Sequence, residues 1–299
     1  MVSVDMITYN HEPYIKQAIE GVVMQKTNFP FELVIGEDCS TDRTREICIE
    51  YQKKYPDIIK LLLPEKNLGM NENGLQTVQA CTGKYIALCE GDDYWTDPYK
   101  LQKQVDFLEA NEKVMAVCTN SSVCDLNGNT LQSEKVVIPP DNKEGIYNLH
   151  DFFNKKFQYP TNTIVFRNLN MDFITKELKR MSNPFLGDWI LWVLLHIKGD
   201  FYFINEVTAA YRINPNSITH TVNAVKRWEC DFIIRRHLME ILPKEYHIYL
   251  KDSWYPYFKL GMAHRKQGNY TKLLYYFIRA FLYNPVLFSK NLKSIKNKD

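Results

Sequence analysis

The chain has 299 residues, 45% hydrophobic and 24% charged, with a formal net charge of +2. This is an ordinary soluble globular composition, long enough for one large α/β domain with an appendage. It excludes a chain that holds nucleic acid by bulk charge. The aromatic residues (19 Tyr, 16 Phe and 5 Trp) suit a large core first, with carbohydrate or membrane-surface contact as the alternative use.

Val2–Thr8 is short, apolar and β-branched, and reads as a buried strand rather than a signal peptide. Pro13 suits the first turn of a helix in which Ile15, Ala18, Ile19, Val22 and Val23 form a one-sided stripe. Phe31–Gly36 is the second strand, and it runs into Glu37-Asp38-Cys39-Ser40-Thr41-Asp42. Ser40 and Thr41 are N-cap candidates for a helix from about Asp42 to Lys54. Ile58–Leu63 is a third strand, broken by Asn67-Leu68-Gly69. A helix over Asn73–Cys81 and a fourth strand over Tyr85–Cys89 follow. Alternating strands and helices predict a parallel sheet with right-handed crossovers. Its polar turns should converge on one crevice at the carboxyl ends of the strands.

The second half is less regular. A helix is expected over Pro98–Asn111, with Leu101, Val105 and Leu108 on one face. Met115–Asp125 and Thr130–Val137 flank the hairpin signal Asn127-Gly128-Asn129. Asn162–Arg167 reads as a strand, Asp188–Lys198 as an apolar helix, and Tyr202–Ile204 and Val207–Ile213 as two further strands. From about Asn223 the pattern is helical. Two helices joined at Gln267-Gly268-Asn269 resemble a single tetratricopeptide unit, too few to stand alone as an array. The expected organisation is an α/β domain over residues 1–222 and a helical C-terminal region over 223–299.

The seven cysteines, with no C-x-x-C and no His at zinc spacing, predict a reduced cytosolic protein with buried thiols. The longest apolar runs, such as Ile190–Ile197, are too short for a bilayer, so membrane contact is expected to be peripheral. The tail is aromatic and then basic (Lys290, Lys293, Lys296 and Lys298). It reads either as an anchor to an anionic membrane, at the inner face of the cell membrane, or as a frayed terminus.

Glu90-Gly91-Asp92-Asp93 places three acids in four positions after an apolar strand. Carboxylates packed this tightly repel unless a cation or hydrogen-bond donors sit among them. A divalent cation, Mg²⁺ or Mn²⁺, takes one or two carboxylates plus substrate phosphates and waters, and it would offset charge on a leaving phosphate. The chain has no Walker loop and no G-x-G-x-x-G. Glu37-Asp38 could accept hydrogen bonds from a base and ribose; Asp188 alone is explained equally well as a helix-start acid.

Four segments in order, Thr8-Tyr9-Asn10, Glu37 through Thr44, Asn67-Leu68-Gly69 and Glu90 through Asp93, resemble the family 2 inverting glycosyltransferases. The resemblance covers about residues 1–215. It implies the GT-A fold, a Rossmann-like and mostly parallel central sheet flanked by helices, here with the helical appendage. It also implies a nucleotide sugar, a UDP-sugar first, and a glycan or lipid-linked acceptor of surface polysaccharide synthesis. The implied roles place Thr8, Asn10, Glu37, Asp38, Glu90, Asp93 and Arg212 around the nucleotide and donor. Asp92 would hold the metal, and Asp188 would be the catalytic base. Because apolar sugar faces pack on aromatic rings, Trp95 and Trp189 are the candidates for acceptor-side sugar contact, with Trp192 read as core.

This chain departs from the family pattern by Glu at positions 37 and 90, and by Cys39 where Gly is common and a positive φ is wanted. Asn214 stands where many members carry a metal-binding His, and His220 is offset from that spacing. A sugar nucleotidyltransferase and a non-catalytic nucleotide-sugar-binding module are the competing readings. The first lacks its Gly- and Arg/Lys-rich phosphate loop.

Overall fold

The computed structural model describes residues 1–131, 137–138, 143–154, 159–168, 171–181, 187–214, 224–250, 254–283, 285–286 and 288–289. The chain forms two compact units, Met1–Asn214 and Pro215–Asp299.

In the first unit β1 (Val2–Thr8) sits between β2 (Phe31–Glu37) and β4 (Tyr85–Leu88), with β3 (Ile59–Leu62) outside β2, all parallel. Val2, Val4 and Met6 are fully buried, as are Leu33 and Ile35 opposite them. Ser3 and Val34, on the opposite face, are fully buried too, and this two-sided burial is why β2 reads as a nearly continuous apolar run. Helices α1 (Ile15–Val23), α2 (Thr44–Lys54) and α3 (Met70–Gln79) are the crossovers. The expected stripe of α1 holds: Ile15, Ala18, Ile19 and Val22 are fully buried.

The other half of the sheet is mixed. The strand order is β3-β2-β1-β4-β8-β6-β9-β5, with β7 (Gly145–Tyr147) paired to β9 off this path. β8 (Val165–Arg167) runs antiparallel to both β4 and β6 (Val114–Cys124). β9 (Asp200–Arg212) is one long strand where two were expected. A register shift against β6 lets it carry Asn205-Glu206 without breaking. β5 (Tyr94–Trp95), unanticipated, pairs with the end of β9. Helices α4 (Lys100–Ala110), α5 (Leu149–Phe153), α6 (Met171–Met181) and α7 (Gly187–His196) complete the unit. Of the expected strand over Thr130–Val137, Thr130 makes an isolated bridge to Cys124, and most of the rest lies outside the described residues.

Two helix starts differ from expectation. α2 begins at Thr44, and the acceptor at its start is the Asp42 carboxylate, which takes the Thr44 N–H at 2.9 Å. Ser40 and Thr41 face the neighbouring loop instead. Ser40 accepts the Asn10 N–H at 2.9 Å, and the Thr41 N–H donates to Asn10 Oδ1 at 2.8 Å. α3 begins at Met70, immediately after Gly69 turns the chain at φ +82°.

The second unit is helical: α8 (Ala224–Ile241), α9 (His247–Leu250), α10 (Trp254–Lys266) and α11 (Tyr270–Tyr283). The expected hairpin is formed by α10 and α11. The Asn269 N–H closes on His264 O at 2.9 Å, with Gly268 at φ +72°. Phe258 and Phe277 stack across it, centroids 5.4 Å apart. No helix among the described residues is long and apolar enough to cross a membrane.

Candidate active site

Parallel pairing in register brings the ends of β1, β2 and β4 to one edge: Thr8 lies beside Glu37, and Asp5 beside Leu88. Backbone bonds carry the alignment past the strands. The Asp38 N–H donates to Thr8 O at 3.0 Å, and the Gly91 N–H to Ile7 O at 3.0 Å. The three polar turns therefore converge, as expected from their position after strands.

Several side chains named for direct ligand contact are committed inside the protein. Glu37 is fully buried; it accepts the Ser40 N–H at 2.7 Å and pairs with the Arg45 guanidinium. That ion pair ties β2 to α2 and leaves Glu37 no face toward a base. Asp38, 2% exposed, accepts the Leu68 N–H at 2.6 Å and the Gly69 N–H at 2.9 Å, one on each oxygen. It clamps the Asn67-Leu68-Gly69 turn and so sets the start of α3. Thr8 is also 2% exposed. Asn10, at φ +54°, is exposed but spends its side-chain oxygen on Thr41. Cys39 adopts φ +57°, so the turn usually given to Gly is made with a Cβ present.

Arg212, expected near the donor, is turned into the protein. It is 3% exposed, and its donors point at the acidic loop and its surroundings. Its Nε–H donates to Asp92 O at 2.8 Å, and its terminal nitrogens donate to Asp125 O, Leu126 O and Gln17 Oε1 at 2.8–3.2 Å. Its backbone N–H donates to Asp93 Oδ1 at 2.8 Å. With the guanidinium between the rings of Tyr14 and Tyr94, Arg212 holds the loop's shape from behind. Trp95, expected on the acceptor side, is 1% exposed, donates its indole N–H to Asn162 O at 2.7 Å, and carries Lys100 over its ring. Trp189 is half-buried beside Phe152 and Phe153, and Trp192 is core as expected.

The remaining acids gather at a cavity. A space of about 150 Å³ lies among α3, α6, α7 and the ends of β1 and β4. Its lining is largely apolar (Ile7, Leu75, Phe166, Ile190 and Leu191 among others), yet it includes Asp5, Glu90 and Asp188. Burial, then the charges of Asp188, Asp92, Asp93 and Asp5, hold Glu90 well above the usual carboxylate range. Burial and the Asp92 charge raise Asp93, against the Arg212 N–H. Asp188, in the first turn of α7, accepts the Thr161 hydroxyl at 2.9 Å. The protein around its carboxyl displaces water and raises its pKa, against the pull of that hydrogen bond. Asp5 is pushed by burial from 3.8 to about 7, and its Oδ1 has no hydrogen-bond partner.

Asp92 is less enclosed, its side chain 20% exposed, and among the described residues no hydrogen bond reaches its carboxylate. The His11 ring lies beside it, with Nε2 3.9 Å from Asp92 Oδ2. A hard, accessible carboxylate beside an imidazole suits a divalent cation that takes its other ligands from phosphates and water. Among the described residues no three His, Cys, Asp or Glu side chains form a complete cage. His220 lies outside the described residues, as do Lys290, Lys293, Lys296 and Lys298.

Sequence reading missed three members of this site. Asp5 had a signal, a charge in the middle of a buried strand. Thr161 lies just before the strand expected over Asn162–Arg167, and nothing local ties it to Asp188. His11 had none, because its neighbour Asp92 is 81 residues away and adjacent only through the sheet.

A family model described as Glycosyl transferase family 2 matches residues 3–173. Uncharacterized proteins of Mycobacterium bovis and Mycobacterium tuberculosis are 34% identical over 231 residues, 76% of this chain. The match spans 64% of their length, less than two thirds. Among solved structures, S. aureus TarS 1-349 in complex with UDP-GlcNAc superposes with a TM-score of 0.63 at 16% identity. It covers 93% of this chain and 81% of that one. The mannosyltransferase PcManGT from Pyrobaculum calidifontis, in complex with GDP-Man and Mn²⁺, gives 0.56 at 15% identity, covering 99% and 79%. At these identities the structural likeness shows the fold.

Proposed function

The chain belongs to glycosyl transferase family 2, and on that premise we propose that it transfers a sugar from a nucleotide sugar, a UDP-sugar first, to a hydroxyl of a glycan or lipid-linked acceptor in surface polysaccharide synthesis, with inversion. One observation carries the reading. Glu90 and Asp188, nearly a hundred residues apart, line the same cavity, and Asp92 stands beside Glu90 on the acidic loop.

Asp188 acts as general base. Its carboxylate takes the proton of the acceptor hydroxyl as that oxygen attacks the anomeric carbon from the side opposite the diphosphate. The carbon–oxygen bond to the diphosphate breaks in the same displacement, so one inversion results. Thr161 orients the carboxylate and favours its ionised form. Arg212, from behind, fixes where the Asp92 and Asp93 side chains begin. Asp92 would hold a divalent cation together with diphosphate oxygens, and the cation would stabilise charge on the leaving group. Tyr9, 43% exposed at the end of β1, is the ring available for a base to stack on. Contact of the helical region with an anionic membrane remains part of the reading, supported by Tyr270, Leu274, Ile278 and Leu282, each half exposed or more on α11.

The experiment is calorimetric titration of UDP with and without Mn²⁺, followed by a donor screen. Cation-dependent UDP binding, lost in Asp92→Ala, is expected. Asp188→Asn should bind UDP normally and lose transfer. No nucleotide binding under either condition, or full transfer by Asp188→Asn, would remove the reading.

A further inference from the structure

His11 follows β1 and Asp92 follows β4, neighbours in the sheet. Their side chains meet in the crevice: His11 Nε2 lies 3.9 Å from Asp92 Oδ2, each side chain about one-fifth exposed (21% and 20%). That distance is too long for a hydrogen bond. It is short enough for one cation to touch both, since ligand distances of about 2.0–2.2 Å can be met whenever the two atoms are within about 4.2 Å.

The other face of the ring is held. His11 Nδ1 is 3.2 Å from Thr8 Oγ1. With the buried hydroxyl accepting from Nδ1–H, the imidazole keeps its Nε2 lone pair for the crevice. A metal-ligating His is oriented in the same way by a hydrogen bond on its second nitrogen. Gly91 shows how tightly this pair is built in. A Cβ at that position would lie 2.6 Å from Thr8 Oγ1 and 3.0 Å from His11 Nδ1. The small residue inside the acidic loop therefore preserves a packed Thr8–His11 unit under Asp92.

We infer that His11 is a second protein ligand of the divalent cation, sharing it with Asp92, and that Thr8 is the positioning residue behind the ring. The inference rests on the cation-dependent donor binding proposed above and adds the chain's own contribution to it. An imidazole in the set makes it softer than carboxylate and phosphate oxygens alone, which favours Mn²⁺ over Mg²⁺.

The test is pulsed EPR on the full chain loaded with Mn²⁺ and UDP, reading nitrogen-14 modulation from a coordinated imidazole. The modulation is expected in the unaltered protein and in His220→Gln, and it should vanish in His11→Gln. Mn²⁺ affinity in the UDP complex should fall by tenfold or more in His11→Gln, on the order of what loss of a ligand-shell partner costs. Thr8→Val should weaken Mn²⁺ by a smaller factor while keeping the nitrogen signal. Bound Mn²⁺ without imidazole modulation in the unaltered protein, or modulation that survives in His11→Gln, overturns the inference and leaves Asp92 and the proposed function standing. UDP binding with no Mn²⁺ uptake overturns the inference together with the cation requirement, and absence of UDP binding removes the proposed function itself.

Discussion

Asp5→Asn isolates the energetic cost of an acid inside the sheet. Asp5 lies between fully buried Val4 and Met6, and its Oδ1 has no hydrogen-bond partner. Burial raises its carboxyl from 3.8 to about 7. Between those values the unfolded chain has released the proton and the folded chain still holds it. The folded state thus binds more protons, and stability falls as pH rises toward 7. At about 1.36 kcal/mol per pH unit, the interval from 3.8 to about 7 sets a ceiling of about 4 kcal/mol lost by neutral pH. Asn has the same shape and does not titrate. Any fixed offset from exchanging the group is shared at all pH values and cancels. The assay is urea unfolding of both proteins at pH 5 and pH 8, without divalent cation or nucleotide so that ligand linkage does not intrude. Asp5→Asn should gain roughly 2–3 kcal/mol relative to the unaltered chain between the two pH values. An unchanged difference between the proteins would refute the claim that burial holds this carboxyl neutral.

Other expectations follow from the same geometry. Asp188 must be ionised to act as base, and its carboxyl is raised, so transfer should fail on the acid side at a pH above the ordinary carboxylate range. Thr161→Val removes a hydrogen bond to the ionised form, so that acid limb should move to higher pH, read from a pH–rate profile. Arg212→Lys keeps the charge but not the fork that spans Asp92 O, Asp125 O, Leu126 O and Gln17. It should cost at least about 2 kcal/mol in urea unfolding and weaken donor binding together with stability. Cys39→Gly should stabilise by about 0.5–1 kcal/mol, because relief of the positive φ at this site exceeds the added chain entropy of Gly. A loss of stability there would mean that the Cys39 side chain contributes more than its backbone costs.

Much of the first hundred residues was legible because each signal is local. β1, β2 and β4 announce themselves as apolar runs, α1 as a stripe of period 3.6, and the acidic loop as three acids after a strand. The misjudged pieces were those whose partners are distant. β5 is too short to carry a pattern and exists because β9 offers it an edge. Trp95 looked like a sugar platform since an aromatic after acids suits one. Its indole is instead claimed by Asn162 O and its ring by Lys100.

By itself the sequence determined the order of strands and helices from β1 to β4, the family, and the placing of acids just after strands, because backbone preference and hydrophobic period act within a few residues. Tertiary structure decided which of those residues are spent on partners inside the protein. Glu37 is spent on Arg45, Asp38 on the Leu68 and Gly69 amides, and Arg212 on the back of the acidic loop, while Asp92 is left beside His11. Those assignments depend on strand order, register and the water that packing removes. None of the three is encoded within reach of a local pattern, because each is a property of groups brought together from across the chain.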